Sequence, residues 1–414
     1  MRLYIKSCLI VLFLAARALP AAAQELPTFN IGGPGQTVPA LPPPPSLPPP
    51  QAVPGPVAPL PPHGPQPQQA VPGLAFSGST DIAAIIEGAI RSSSFTVEAA
   101  LYGLTLPGVA QALVDARDRG VKVRVIMNES HVFTTRRDDG VQLLIDKGVD
   151  MRTLRGTGRN GIMHNKLGIY DGRLVSAGSF NWAVTANEAN SENAVFLRDA
   201  DTVAGYGKYF EWMWGLARPV ADGPAGNVKD YGPPPAAPAR SVAFGGARFP
   251  AYSFSPGGET KADVISALDR AASSADIAVF SFYDEDIAGA AVNALKRGVK
   301  VRVLVDRVQA SQSDVGSVLV KAGVQFRWSK GFAGKGVMHN KFAVLDGKLL
   351  MTGSFNWSTN AQQNNFENMF YTASPAYTEA YSAQFEELFS AADEPTLDDL
   401  QRARAEYRSL SSPR

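Results

Sequence analysis

Cysteine is nearly absent from the 414 residues: Cys8 is the only one, and it stands at the start of an N-terminal apolar run. Beyond that run there is no disulfide, thiol nucleophile or thiolate metal site to consider. An excess of one charge is missing too, with 39 basic against 38 acidic residues. That balance excludes a polynucleotide binder that is basic throughout, though not a local basic patch. Long apolar runs are also lacking. The N-terminal candidate, residues 8–16, is followed at once by Arg17 and falls well short of the ~20 residues of a spanning helix. Arg2 and Lys6 precede this run and Ala21-Ala22-Ala23 follow it. Residues 1–23 therefore read as a cleaved secretory signal, and the protein is expected to be secreted or periplasmic. Cleavage removes Arg2, Lys6 and Arg17, leaving 36 basic against 38 acidic residues.

From Leu26 to Thr80 there is no Asp, Glu, Lys or Arg, and 18 prolines fall between Pro27 and Pro72. Such a stretch favours extended polyproline conformations, so residues 24–75 are expected to form a semi-rigid, disordered tether, with a ligand for proline-binding modules as the alternative. The rest of the chain has ordinary globular composition and is long enough for two packed domains.

Beyond the tether the chain is a tandem repeat. Arg119-Gly120-Val121-Lys122-Val123-Arg124-Val125 recurs as Arg297-Gly298-Val299-Lys300-Val301-Arg302-Val303. Met163-His164-Asn165-Lys166 recurs as Met338-His339-Asn340-Lys341, and Gly178-Ser179-Phe180-Asn181-Trp182 as Gly353-Ser354-Phe355-Asn356-Trp357. Each half alternates helix and strand patterns. Ile82, Ile85, Ile86 and Ile90 have helical spacing; residues 95–102 read as a strand; Pro107 opens a helix ending near Gly120. Val121, Val123 and Val125 alternate with Lys122 and Arg124, a strand with one face toward polar surroundings. Helices over 203–216 and 377–391 close the halves. The fold class is α/β: two similar domains (76–220 and 250–393), each a mixed sheet flanked by helices, related by a pseudo-two-fold axis. Residues 221–249 read as linker and 394–414 as a C-terminal tail.

Chemistry concentrates at the repeated histidines. Residues 162–170 and 337–345 read as strands, whose period of two projects His164 with Lys166, and His339 with Lys341, from one face. An imidazole beside an ammonium suits phosphoryl transfer, supplying a nucleophile or acid and a cation for phosphate oxygens. Asp171-Gly172 and Asp346-Gly347 come next, flanked by apolar strands, which is a hairpin signal. The return strands deliver Ser179 with Asn181, and Ser354 with Asn356, as candidate donors to phosphate. Glu192 and Glu367, farther on, are candidates to accept the second ring hydrogen of a histidine and set its tautomer. No His/Asp/Glu cluster with ligand spacing accompanies these residues, so neither metal nor cofactor is expected.

H-x-K, then D, then G-S-x-N, present twice, resembles the phospholipase D superfamily, in particular its compact secreted and nuclease-like members. The resemblance covers roughly residues 76–393. It implies a metal-independent phosphodiesterase acting through a covalent phosphohistidine: one histidine attacks phosphorus, and the other protonates the leaving oxygen and then activates water. His164 is taken as nucleophile and His339 as acid, though pseudo-symmetry makes them interchangeable. Lys166, Lys341, Asn181 and Asn356 would hold non-bridging oxygens, helped by Ser179 and Ser354. Asp171 and Asp346 sit in turns at the opposite strand parity and are read as structural.

The substrate is less legible. Arg155-Gly156-Thr157-Gly158-Arg159 and residues 330–335 form Gly-rich basic loops before each H-x-K. They suit a polynucleotide backbone or anionic lipid headgroups. Trp182 and Trp357 read as packing of the inter-domain core, with contact to an acyl chain or a base as alternatives. Export favours phospholipid and hence phospholipase D activity, with peripheral membrane contact; a secreted or periplasmic nuclease is the alternative and a non-catalytic surface protein a remote one. One chain carries both halves of the site, so a monomer without an obligate protein partner is expected.

Overall fold

The computed structural model describes residues 71–332 and 334–411. The signal segment 1–23 and nearly all of the tether lie outside them. The last tether residues, Leu74 and Ala75, belong instead to the first strand, β1 (Leu74–Phe76), because the backbone there pairs antiparallel with residues 193–195.

The first lobe continues with α1 (Ile82–Ser92), β2 (Thr96–Leu101), α2 (Pro107–Asp118), β3 (Lys122–Asn128), α3 (Asp139–Lys147), β4 (Asp150–Leu154), β5 (Lys166–Tyr170), β6 (Leu174–Gly178), β7 (Asn193–Leu197), α4 (Ala200–Leu216) and the short β8 (Arg218–Pro219). Its sheet order is β1-β7-β6-β5-β2-β3-β4-β8, with β2, β3 and β4 parallel and the other pairs antiparallel. After the β9 (Val242–Phe244) and β10 (Ala247–Phe249) hairpin, the second lobe repeats the plan. It comprises β11 (Tyr252–Ser255), α5 (Thr260–Arg270), β12 (Ser274–Val279), α6 (Glu285–Lys296), β13 (Lys300–Asp306), α7 (Val315–Lys321), β14 (Gln325–Ser329), β15 (Lys341–Leu345), β16 (Leu349–Gly353), β17 (Glu367–Thr372) and α8 (Pro375–Ser390). The sheet order β11-β17-β16-β15-β12-β13-β14 repeats the first seven strands of the first lobe's sheet, and the short β8 at that sheet's edge has no counterpart strand in it.

Each sheet buries one face under its own helices. Ile82, Ile86 and Ile90 of α1 and Val109, Leu113 and Val114 of α2 close one core, and Val264, Leu268, Ile287 and Ala291 close its twin. A third core is shared. Tyr206, Tyr209 and Phe210 of α4 and Leu167 and Val175 of the first sheet meet Phe342, Val344, Tyr381 and Phe385 of the second lobe. The lobes are joined by hydrophobic burial and not only by the chain. Among the described residues no helix is long and apolar enough to cross a membrane.

Three sequence expectations change here. Arg124 does not face polar surroundings: it is 7% exposed, ion-paired with Glu98 and Glu211 and held beside Phe210 and Trp214. Arg302 does the same with Asp276 (2.7 Å) and Glu386 (2.6 Å). The charged strand face is covered by α4 or α8, and each arginine buries its stem while its head finds carboxylates. Trp182 and Trp357 fill the separate cores of their own lobes, not the shared one. The segment read as a tail contains α9 (Leu397–Ser411), which lays Leu400 and Ala403 on the second lobe's core.

Candidate active site

The strands carrying the motifs begin later than their apolar pattern suggests, at Lys166 and Lys341. The residues just before them are extended but pair with the opposite lobe. The His164 N–H donates to the Phe366 carbonyl (3.0 Å), and the His339 N–H to that of Ser191 (2.9 Å). The ends of β3 and β13 fix the preceding residue: Asn128 Oδ1 accepts the Met163 N–H and Asp306 Oδ2 the Met338 N–H. Both histidines are thereby set at the seam, each 6% exposed.

The same seam exchanges their partners. His164 Nδ1 lies 2.9 Å from Glu367 Oε2, and His339 Nδ1 lies 2.9 Å from Glu192 Oε2, so each imidazole is held by the other lobe's glutamate. Each glutamate is buried and held by its own lobe. Ser179 Oγ donates to Glu192 (2.7 Å) and Ser354 Oγ to Glu367 (2.6 Å), while Asn190 and Asn365 donate their side-chain amides to the other carboxylate oxygens. With Nδ1 engaged, Nε2 of each ring is the atom left for chemistry.

The serines therefore do not occupy the place the sequence suggested. Fully buried, and spent on the glutamates and on the Asn193 and Asn368 amides, their hydroxyls are not phosphate donors. Asn181 and Asn356 are half-buried, and their Oδ1 atoms have no hydrogen-bond partner. Lys166 Nζ donates to the His164 carbonyl (2.6 Å) and Lys341 Nζ to that of His339 (2.5 Å). Each ammonium lies near an aromatic ring, Tyr102 at 5.2 Å and Phe280 at 5.0 Å.

Burial pushes both imidazoles down to about 4. The lysines of both lobes add to this and the partner glutamates oppose it. Each imidazole is bonded to the glutamate of the other lobe, which joins the two histidine–lysine pairs at one seam. Burial likewise lowers Lys166 to about 8 and Lys341 to about 7. The histidines are thus neutral near pH 7, while the lysines hold their charge only up to neutral or mildly alkaline pH.

Asp171 and Asp346 stand apart, at the far ends of β5 and β15. Each has positive φ (51° and 54°) ahead of a positive-φ glycine, and its carboxylate accepts the backbone N–H groups of 94–96 or 272–274. Burial raises the Asp171 pKa, but those N–H groups more than offset this and hold it below the usual carboxylate value. Asp171→Asn keeps a residue that tolerates this backbone conformation. It is expected to cost about 1–3 kcal/mol of stability and to leave turnover per folded molecule unchanged; thermal melts and kcat on the same preparation check both.

An asparagine lattice escaped the sequence reading. Asn193 donates to Asn340 Oδ1 and Asn368 to Asn165 Oδ1, both at 2.8 Å across the seam. Recurrence at the same offset as the histidines was the available signal. Among the described residues no three His, Cys, Asp or Glu side chains are grouped to hold a metal ion.

Residues 86–214 and 264–389 each match the family described as cardiolipin synthase, PLD-like domain. Over 133 residues, 32% of this chain, the sequence is 39% identical to the mitochondrial cardiolipin hydrolase of Xenopus tropicalis, of which 61% is matched. It is 34% identical over 107 residues to a phospholipase D of Rickettsia prowazekii, covering 25% of this chain and 49% of that protein. The matches thus span between about half and three-fifths of these relatives. In fold, the phosphatidylserine synthase of Haemophilus influenzae superposes with a TM-score of 0.57 at 12% identity, over 82% of this chain and 93% of that one. Two copies of one domain, covering more than half of the chain and facing each other across paired H-x-K motifs, make it a member of the phospholipase D superfamily.

Proposed function

We propose that this protein hydrolyses phospholipids at the head-group side of the phosphodiester, through a phosphohistidine intermediate. The observation that carries the reading is the reciprocal histidine–glutamate exchange, with a lysine beside each ring. A neutral imidazole, with Nδ1–H donated to a buried carboxylate, presents the Nε2 lone pair as nucleophile. The bound phosphate brings negative charge among the two lysines and two imidazoles, which raises the proton affinity of the second ring and makes it the acid for the leaving oxygen. The same ring then takes a proton from water, which attacks phosphorus and frees the first histidine. The lysines neutralise the non-bridging oxygens throughout, assisted by Asn181 and Asn356. Relatives named cardiolipin hydrolase and phospholipase D support a lipid substrate.

The full chain, with chelator present, should be offered phosphatidylcholine and cardiolipin vesicles beside single-stranded DNA. Release of phosphatidate with intact DNA is expected; cleaved DNA with intact lipid would overturn the lipid reading. The pH profile is set by the charges. On bis(4-nitrophenyl) phosphate, kcat/KM should rise as pH passes about 4, where the imidazoles become neutral, and fall above about 7, where Lys341 and then Lys166 lose their protons. Lys341→Arg should move the alkaline limb upward, since a guanidinium keeps its charge.

A further inference from the structure

At the outer edge of the first sheet, away from the two histidines, a set of buried donors lacks acceptors. Thr153 of β4 pairs with Arg218 of β8 across the antiparallel edge. Residues opposed in this way project to one face, and so does Arg155, two places beyond Thr153 and still in extended backbone. A hydroxyl and two guanidinium groups therefore share that face.

The inter-lobe linker folds back over it. The Ala225 N–H donates to Glu129 (2.6 Å), the Val228 carbonyl accepts the Gly158 N–H (2.7 Å), and the Tyr231 ring lies 5.2 Å from that of Phe366. Between linker and sheet lies a cavity of about 210 Å³, lined by Thr153, Arg155 and Arg218 on one side and by residues 225–228 and Tyr231 on the other. Thr153 is 2% exposed, and neither its Oγ1 nor the Arg155 Nε has a hydrogen-bond partner. The remaining guanidinium contacts go to carbonyls, those of Gly158 and Arg159 for Arg155 and that of Asp222 for Arg218. Among the described residues no acidic side chain lines the cavity, and Glu129, at its border, already accepts the Ala225 N–H.

Buried donors without acceptors are costly, and the group that satisfies a hydroxyl and two guanidiniums together is a tetrahedral oxyanion. We infer that this cavity binds a free oxyanion of phosphate size, and that the bound anion pins the linker to the first lobe. The site is separate from the catalytic seam and independent of the substrate reading. A volume of about 210 Å³ takes such an anion but not a glycerolipid attached to it. The second lobe has no equivalent: β8 has no counterpart there, and Trp328 holds the register position of Thr153, its ring 5.2 Å from the Arg307 guanidinium. The linker also lies one contact from the chemistry, since Phe366, beneath Tyr231, carries the carbonyl that accepts the His164 N–H.

Trypsin reads the state of the linker, because Lys229 is exposed within it. In the full chain, inorganic phosphate should slow cleavage after Lys229 ~10-fold once the site is nearly full, compared with sodium chloride of equal ionic strength. Thr153→Val and Arg218→Gln should each abolish that protection. Neither should change the constant with which phosphate competes against bis(4-nitrophenyl) phosphate at the seam, and Arg248→Gln, on β10, should behave as the wild type. In phosphate-free buffer Thr153→Val should melt no lower than the wild type, since the hydroxyl it removes has no protein partner. Equal protection by sodium chloride, or protection retained in both variants, would leave the cavity to water and overturn the site. Loss of competition in the same variants would place the anion at the seam instead. Protection by phosphatidate vesicles but not by inorganic phosphate would overturn the assignment to a free anion.

Discussion

Alanine at either His164 or His339 is expected to reduce steady-state turnover of natural substrates ~10⁴-fold or more, the scale on which nucleophile and base losses are felt when both act in one sequence of steps. The two losses should not add, because the double variant lacks nothing that each single variant has not already stopped. Folding should survive. The glutamate left behind in each case keeps its serine and asparagine donors, Ser354 and Asn365 for Glu367, and Ser179 and Asn190 for Glu192. Circular dichroism and melting curves on the inactive proteins would show this; wild-type-like turnover from either variant would refute a two-histidine mechanism.

Glu192→Gln should be nearly as damaging, ~10⁴-fold, as when the buried carboxylate behind a catalytic imidazole becomes an amide and no longer fixes the tautomer. The defect is expected in the second lobe's chemistry although the change lies in the first, since Glu192 holds His339. With His164 as nucleophile, Glu192→Gln should spare the nitrophenol burst and slow the subsequent hydrolysis, whereas Glu367→Gln should suppress the burst itself. Pre-steady-state kinetics on the chromogenic diester separate the two. Equal behaviour of the two variants would mean that the seam does not distinguish its halves.

Much of the architecture was legible because it is written twice. The recurring Arg-Gly-Val-Lys-Val-Arg-Val and G-S-x-N segments, with strand and helix periods between them, give the two lobes and the hairpins. The histidines and lysines stood out for the same reason. What escaped is whatever depends on the partner lobe. Residues 162 and 337 look like strand starts from their apolar run, yet the ladder there belongs to the other half. Ser179 and Asn181 share a strand face on paper, but a glutamate 13 residues away claims the hydroxyl. Arg124 alternates as an exposed residue would, and only the arrival of α4 buries it. Local pattern records the period of an element, not what will be packed on it.

Close approach also leaves its mark in the loops. A side chain at Gly331 would put its first carbon 1.8 Å from the Ala189 carbonyl oxygen, and at Gly156 2.1 Å from that of Asn364, so glycine lets each lobe reach over the other. Because each half completes the other's imidazole, a lone half would need to find a mate, and its activity would fade on dilution. Joining both in one polypeptide makes that encounter intramolecular. Such a catalyst is expected to keep its specific activity on dilution, which activity measured across a concentration series would check.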